Sequence, residues 1–270
     1  MKKTSTVLLV GAAFVLCGGE WKDIPYYEKN FPVRGDAEML RARCKLDLKT
    51  PESKKGFPTL VWFHGGGLSA GRKYLPAEID TAKIAVVSVN YRLSGPKVRH
   101  PDYIYDAAAA VSWTLENIRK HGGDPKKVFV SGRSAGAYLS AMVAFDKKYL
   151  GAFGHAPAEI AGVYPISGQM STHFQILAER RKEDPAVRDF AVDEYAPLYH
   201  ASADAPPMIL FCGDPQLDMP SRVEENRLLA ARLTRVCKHK ATKFVSIPHT
   251  GHGTCVAPSL AVINGILSKL

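Results

Sequence analysis

From residue 59 onward, short solid runs of apolar residues alternate with longer stretches in which apolar positions recur every three or four residues. The compact runs at 59–63, 84–89, 128–130, 160–164, 208–212 and 243–247 predict buried strands. The stretches at 105–121, 135–145, 221–236 and 260–270 have helical spacing, and Gly122-Gly123 stop the first of them. Earlier in the chain, Leu40, Cys44, Leu46 and Leu48 fall mostly on alternate positions, so 39–48 reads as a strand. Residues 50–57 form a charged turn region, and the mixed, proline-containing 21–34 is expected to wrap the surface. Strands alternating with helices imply an α/β fold, with a mostly parallel central sheet and helices on both faces. Ligands then bind at the carboxyl ends of the strands.

The first residues change the picture of where the chain works. Lys2 and Lys3 precede an apolar run at 7–16, which ends in Cys17-Gly18-Gly19. Basic, then apolar, then small residues is the layout of a secretory signal, so 1–19 is expected to be a signal peptide and 20–270 a single domain, exported to the periplasm or beyond. The run is too short for a stable membrane span, which takes about 20 residues. A lipid-modified Cys17 is the lesser alternative, because Leu16 occupies a position where lipoprotein signals resemble a pattern of Gly, Ala or Ser.

Composition adds little. The formal net charge is +10, but the basic residues are scattered rather than gathered in the patch a nucleic-acid binder needs, so no nucleic-acid partner is expected. Cys44, Cys212, Cys237 and Cys255 match no metal-ligand spacing, and Cys212 reads as a buried free thiol.

Two motifs carry chemistry. Residues 128–136 read as apolar strand, then Gly132-Arg133-Ser134-Ala135-Gly136, then helix. Gly-x-Ser-x-Gly in that setting holds a serine hydroxyl on a strained turn above the sheet, with the positive end of the helix behind it. His64-Gly65-Gly66-Gly67 follows the strand at 59–63. Consecutive glycines can aim bare N–H groups at one point, as an oxyanion requires. A phosphate-binding loop would want Lys-Ser/Thr next, and none follows.

Together with Asn90-Tyr91-Arg92-Leu93, these motifs resemble the α/β-hydrolase esterases, closest to the branch of hormone-sensitive-lipase-like esterases and bacterial feruloyl and acetylxylan esterases. The resemblance covers roughly 44–258 and implies the α/β-hydrolase fold. It also implies oxyanion donors at Gly66, Gly67 and Ala135, with His64 bracing the loop. The chain departs from the pattern in carrying Arg133 where relatives usually have an acid, and Gly136-Ala137 where they have two glycines. Arg133 is expected to pair with a nearby carboxylate, the alternative being an anionic substrate.

In this fold the partners follow in the order Ser, acid, His. The base should lie after the last strand, which leaves His249 and His252, and His252-Gly253 is similar to the family's catalytic loop. The acid should follow the strand at 208–212. Relatives carry it where Gln216 stands here, so Asp218 is expected if the loop bulges, with Asp214 the alternative bracing the turn. Glu224 and Glu225 are expected to be solvated, and Met170, His173, Phe174, Tyr195 and Tyr199 either shape a pocket or pack a crossover. The expected activity is a secreted serine ester hydrolase on short-chain or carbohydrate-linked esters of acetyl or feruloyl type, with no metal or organic cofactor. An amidase or arylformamidase with the same triad, a serine peptidase and a non-catalytic hydrolase-fold binding protein are the alternatives.

Overall fold

A computed structural model describes residues 18–27, 34–52 and 55–270. Most of the expected signal segment lies outside the described residues; of it, Gly19 opens the first strand. Among the described residues one eight-stranded sheet runs β1 (Gly19–Pro25), β2 (Lys45–Thr50), β4 (Ala85–Val89), β3 (Phe57–Phe63), β5 (Gly123–Arg133), β6 (Gly162–Ile166), β7 (Met208–Cys212), β8 (Thr242–Ser246). Only the pairings of β2, with β1 and with β4, are antiparallel. β4, β3, β5, β6, β7 and β8 are mutually parallel.

The helices are α1 (Ala37–Arg43), α2 (Asp102–Asn117), α3 (Ala135–Phe145), α4 (Lys147–Gly151), α5 (Phe174–Arg181), α6 (Arg222–Ala231) and α7 (Val256–Leu267). Successive side chains of a strand point to opposite faces, and β3 shows it. Val61 and Phe63 join the core beneath α2, α3 and α6, whereas Leu60 and Trp62 join the core beneath α7. All seven β3 residues are buried, as befits a strand covered on both sides.

Two early expectations are corrected. Residues 37–43 form α1 rather than strand: Asp36 accepts the Met39 N–H at 2.9 Å, an N-cap that the apolar pattern hid. Leu40 and Cys44 are one helical turn apart, and only Leu46 and Leu48 belong to a strand. The segment expected to wrap the surface instead supplies β1, which pairs with β2 from Gly19↔Thr50 to Pro25↔Lys45. At the other end of the chain, the predicted helix at 221–236 is α6 followed by a π-helical turn, Arg232–Val236.

The loop after β4 is tied to α2 by a buried ion pair. Arg92 Nη2 and Nε donate to the Asp106 carboxylate at 2.7 and 2.9 Å, and the Arg92 N–H adds a third bond at 2.9 Å. Both residues are fully buried. Removing one partner strands the other charge, so Asp106→Ala should cost about 3–5 kcal/mol in urea unfolding; a loss under about 1 kcal/mol would show that the pair does not anchor this loop.

Candidate active site

β5 runs straight into α3 through Ser134, which has φ 52° and ψ −117°. This left-handed turn is strained for a non-glycine residue, and such strain concentrates at functional sites. Two glycines make the turn feasible. A Cβ on Gly136 would overlap the Phe63 carbonyl oxygen, and one on Gly132 would stand 2.7 Å from it. The turn therefore packs directly on the end of β3, where the glycine loop begins. Ser134 is half-buried, and its N–H donates to the Ile166 carbonyl at 2.8 Å.

The glycine loop is braced from below. The His64 ring stacks on Tyr91 with centroids 4.3 Å apart, and its Nδ1 bonds the Gly65 carbonyl at 2.7 Å. Burial lowers the His64 pKa to about 4, so it is neutral at ordinary pH. The Tyr91 hydroxyl donates to the His64 carbonyl, and Arg43 donates to the Tyr91 and Gly71 carbonyls. Gly66 has φ 116° and lies so close to Ala70 that a side chain would overlap its carbonyl. Among the described residues the Gly66 and Gly67 N–H groups have no backbone acceptor. Ala135 opens α3, so its N–H has no acceptor within the helix.

Asp218 and His252 meet directly. The His252 Nδ1–H donates to Asp218 Oδ1 at 2.9 Å. A carboxylate only accepts, so Nδ1 carries the proton and Nε2 is left as an acceptor. Burial alone would raise the Asp218 pKa, but donors from His252, Gly213, Ser167 and Met219 outweigh it and hold the carboxyl at about 2. Asp218 reaches His252 because residues 214–218 form a helical turn, with the Asp218 N–H bonded to the Asp214 carbonyl at 2.8 Å. Gly213 lets that turn close on the following loop, since a Cβ there would stand 2.5 Å from the Thr250 carbonyl oxygen.

The alternatives lie elsewhere. Asp214 accepts the backbone N–H groups of Gln216 and His249 at 3.0 and 3.2 Å, and thus braces the turn. His249 and Gln216 are exposed. His155 bonds Glu159 and Glu116, His200 stands by Asp146, and His239 bonds Thr242. Among the described residues the Ser134 hydroxyl makes no hydrogen bond to His252. Such bonds are often long in unliganded sites and tighten with substrate.

Of the residues between β6 and β7, Met170 and His173 are buried packing residues. Phe174 is 40% exposed and reaches the glycine loop, with its ring edge 3.1 Å from where a Gly67 Cβ would lie. Glu224 is exposed as expected, but Glu225 is buried and accepts the N–H groups of Met170 and Ser171 at 2.7 and 2.9 Å.

Sequence reasoning missed Ser167. It follows β6 immediately, with φ 50°, beside Ser134 on the neighbouring strand. Its hydroxyl lies 2.7 and 2.8 Å from the two Asp218 oxygens and 2.8 Å from His252 Nδ1. It donates to the carboxylate and accepts from the imidazole, and so fixes both. A Ser-Gly pair at the carboxyl end of a predicted strand was the signal available.

The comparisons with known proteins fit this geometry. A family described as alpha/beta hydrolase fold matches residues 60–222. The chain is 28% identical over 214 residues to a probable carboxylic ester hydrolase, LipM, of Mycobacterium tuberculosis (72% of this chain, 49% of that protein). It is 25% identical over 250 residues to Esterase LipC of the same organism (84% and 60%). It is 26% identical over 268 residues to a probable isoprenylcysteine alpha-carbonyl methylesterase of Arabidopsis thaliana (90% and 55%). The chain thus spans about half to three-fifths of the length of these relatives. Among solved structures it resembles a truncated carbohydrate esterase from gut microbiota, with TM-score 0.73 and 19% identity over 96% of this chain and 98% of that one. It also resembles Thermogutta terrifontis esterase 2 bound to propionate, with TM-score 0.65 and 19% identity over 95% of each. These two likenesses speak to the fold.

Removing the Ser167 hydroxyl takes one donor from Asp218. Ser167→Ala should lower kcat roughly tenfold while KM changes little, the loss of about one hydrogen bond. The Asp218 pKa should also rise from about 2 toward its ordinary value. A depressed carboxylate contributes stability above its unfolded pKa and loses it as pH falls through the folded one. The variant should therefore lose less stability on acidification than the parent, and complete that loss at a higher pH, read by thermal melting across the acid range. Identical acid profiles would contradict this role.

Proposed function

The chain belongs to the α/β-hydrolase-fold family, and from that premise we propose that it is a serine carboxylic ester hydrolase working through an acyl-enzyme. His252 Nε2 takes the Ser134 proton as the hydroxyl attacks an ester carbonyl. The Asp218 carboxylate, facing Nδ1 at 2.9 Å, holds the imidazole in the right tautomer and offsets its positive charge. Gly66, Gly67 and Ala135 donate their N–H groups to the oxyanion, each worth roughly 3 kcal/mol of transition-state stabilisation. His252 then protonates the leaving alcohol, and water releases the acyl group by the same path in reverse.

The observation that carries this reading is the direct Asp218–His252 bond beside a strained serine turn, packed on a loop whose Gly66 and Gly67 N–H groups have no backbone acceptor among the described residues. The names of the relatives support ester hydrolysis. Short acyl groups, or acyl groups on carbohydrate, are the substrates we favour. Phe174 against Gly67 leaves little room beside the proposed oxyanion site. The Thermogutta esterase binds propionate and butyrate, and another structural neighbour is a carbohydrate esterase. The Lys2–Gly19 pattern supports export as part of the same reading.

The test is hydrolysis of p-nitrophenyl acetate, butyrate and decanoate, and of acetylated xylan, by the parent and by Ser134→Ala. The parent should turn over the short esters fastest. Ser134→Ala should lose at least about 10³-fold in kcat. Equal rates in a folded parent and variant would leave a hydrolase-fold binding protein, and preference for a matched amide would make the enzyme an amidase.

A further inference from the structure

Arg133 stands between Gly132 and Ser134 and closes β5 as the main chain turns into the site. The expectation that it pairs with a carboxylate is not met. Among the described residues the arginines in ion pairs are Arg92, Arg99, Arg180 and Arg222. Arg133 Nε is buried without an acceptor, yet the residue as a whole still meets solvent.

Three neighbours locate the cation. A Cβ on Gly65 would stand 3.3 Å from Arg133 Nε and 3.3 Å from Ser134 Cβ, so the side chain runs along the first glycine of the loop beside the serine. Burial raises the pKa of the Tyr74 phenol, and the Arg133 charge opposes that rise. Burial and Asp218 push the Cys255 thiol up to about 12, and Arg133 opposes that too. Cys255 is three residues past His252. The side chain therefore lies against the first glycine of the loop beside the serine, with its charge felt at Tyr74 and at Cys255, which follows the His252 loop.

A guanidinium N–H withdrawn from water and left without an acceptor, as Arg133 Nε is, is costly. Elsewhere the chain meets that cost with its own carboxylates: Arg92 with Asp106 at 2.7 Å, Arg180 with Asp193 at 2.6 Å. At Arg133 an anion carried by the ligand would serve, and the planar guanidinium suits a carboxylate in particular. We propose that the substrate bears its own carboxylate on the alcohol side of the ester, and that Arg133, with the Tyr74 hydroxyl beside it, forms the subsite that holds it. The proposal rests on the esterase reading. It narrows the substrate class to acyl esters of hydroxy acids, including acidic sugars.

The experiment compares 3-acetoxybenzoate with its methyl ester, using the parent, Arg133→Gln and Arg133→Lys. The quantity read is the ratio of kcat/KM for the charged ester to that for the neutral one, and taking it across variants cancels the esters' intrinsic reactivities. Arg133→Gln should lower the ratio roughly tenfold or more, and Arg133→Lys should retain part of it. In the parent the ratio should fall as salt is raised. An unchanged ratio in Arg133→Gln, with both esters still hydrolysed, overturns the subsite and leaves the esterase standing. A parent that hydrolyses neither ester overturns the esterase reading and the subsite with it. Should Arg133→Gln fail to fold, the salt dependence of the parent and the ratio for Arg133→Lys decide, and no change in either overturns the proposal.

Discussion

The site depends on one close approach. The turn from β5 to α3 presses on the end of β3, so tightly that neither Gly132 nor Gly136 could carry a side chain without meeting the Phe63 carbonyl. That contact puts Ser134 and the glycine loop, 70 residues apart in the chain, against each other. It also sets the register: β3 and β5 pair in parallel up to Phe63↔Gly132, so the loop and the serine leave the sheet at the same level. A methyl group at either glycine would have to push two strand ends apart. Interiors packed at crystal-like density do not give easily in this way.

Around that contact, charge is handled in three ways. Arg92 and Asp106 neutralise each other in a fully buried pair and hold the loop that carries Tyr91, on which His64 stacks. Asp218 remains a carboxylate although buried, because four donors converge on it. His64 takes the third way and is neutral. Arg133 fits none of the three, and it is the charged residue nearest in sequence to the serine. Sites built for catalysis are where such departures from local balance collect.

Much of this was legible in the residues. The helix at 135–145 and the strand at 208–212 were read with their observed bounds, because apolar runs bounded by glycine or proline leave little choice of period. Asp218 and His252 could be named as candidates because the fold orders its partners and only two loops were available. The preference for Asp218 over Asp214 rested on an assumed bulge, and the turn at 214–218 that supplies it depends on Gly213 packing against Thr250 from another loop. No local pattern contains that contact. The strand expected at 39–48 held only from Lys45 onward, because Leu40 and Cys44 suit a helical turn as well as a strand, and a single capping aspartate decided between them. Ser167 went unread because a buried serine is common, and its meaning appears only when Asp218 and His252 close over it.

The most direct test of the central claim is covalent. An organophosphate that mimics the tetrahedral intermediate should leave one phosphoryl group on the protein. Peptide mapping by mass spectrometry should place it on Ser134, and His252→Ala should prevent it. Labelling of another residue such as Ser167, or no labelling of the folded protein, would contradict the assignment of Ser134 as the nucleophile.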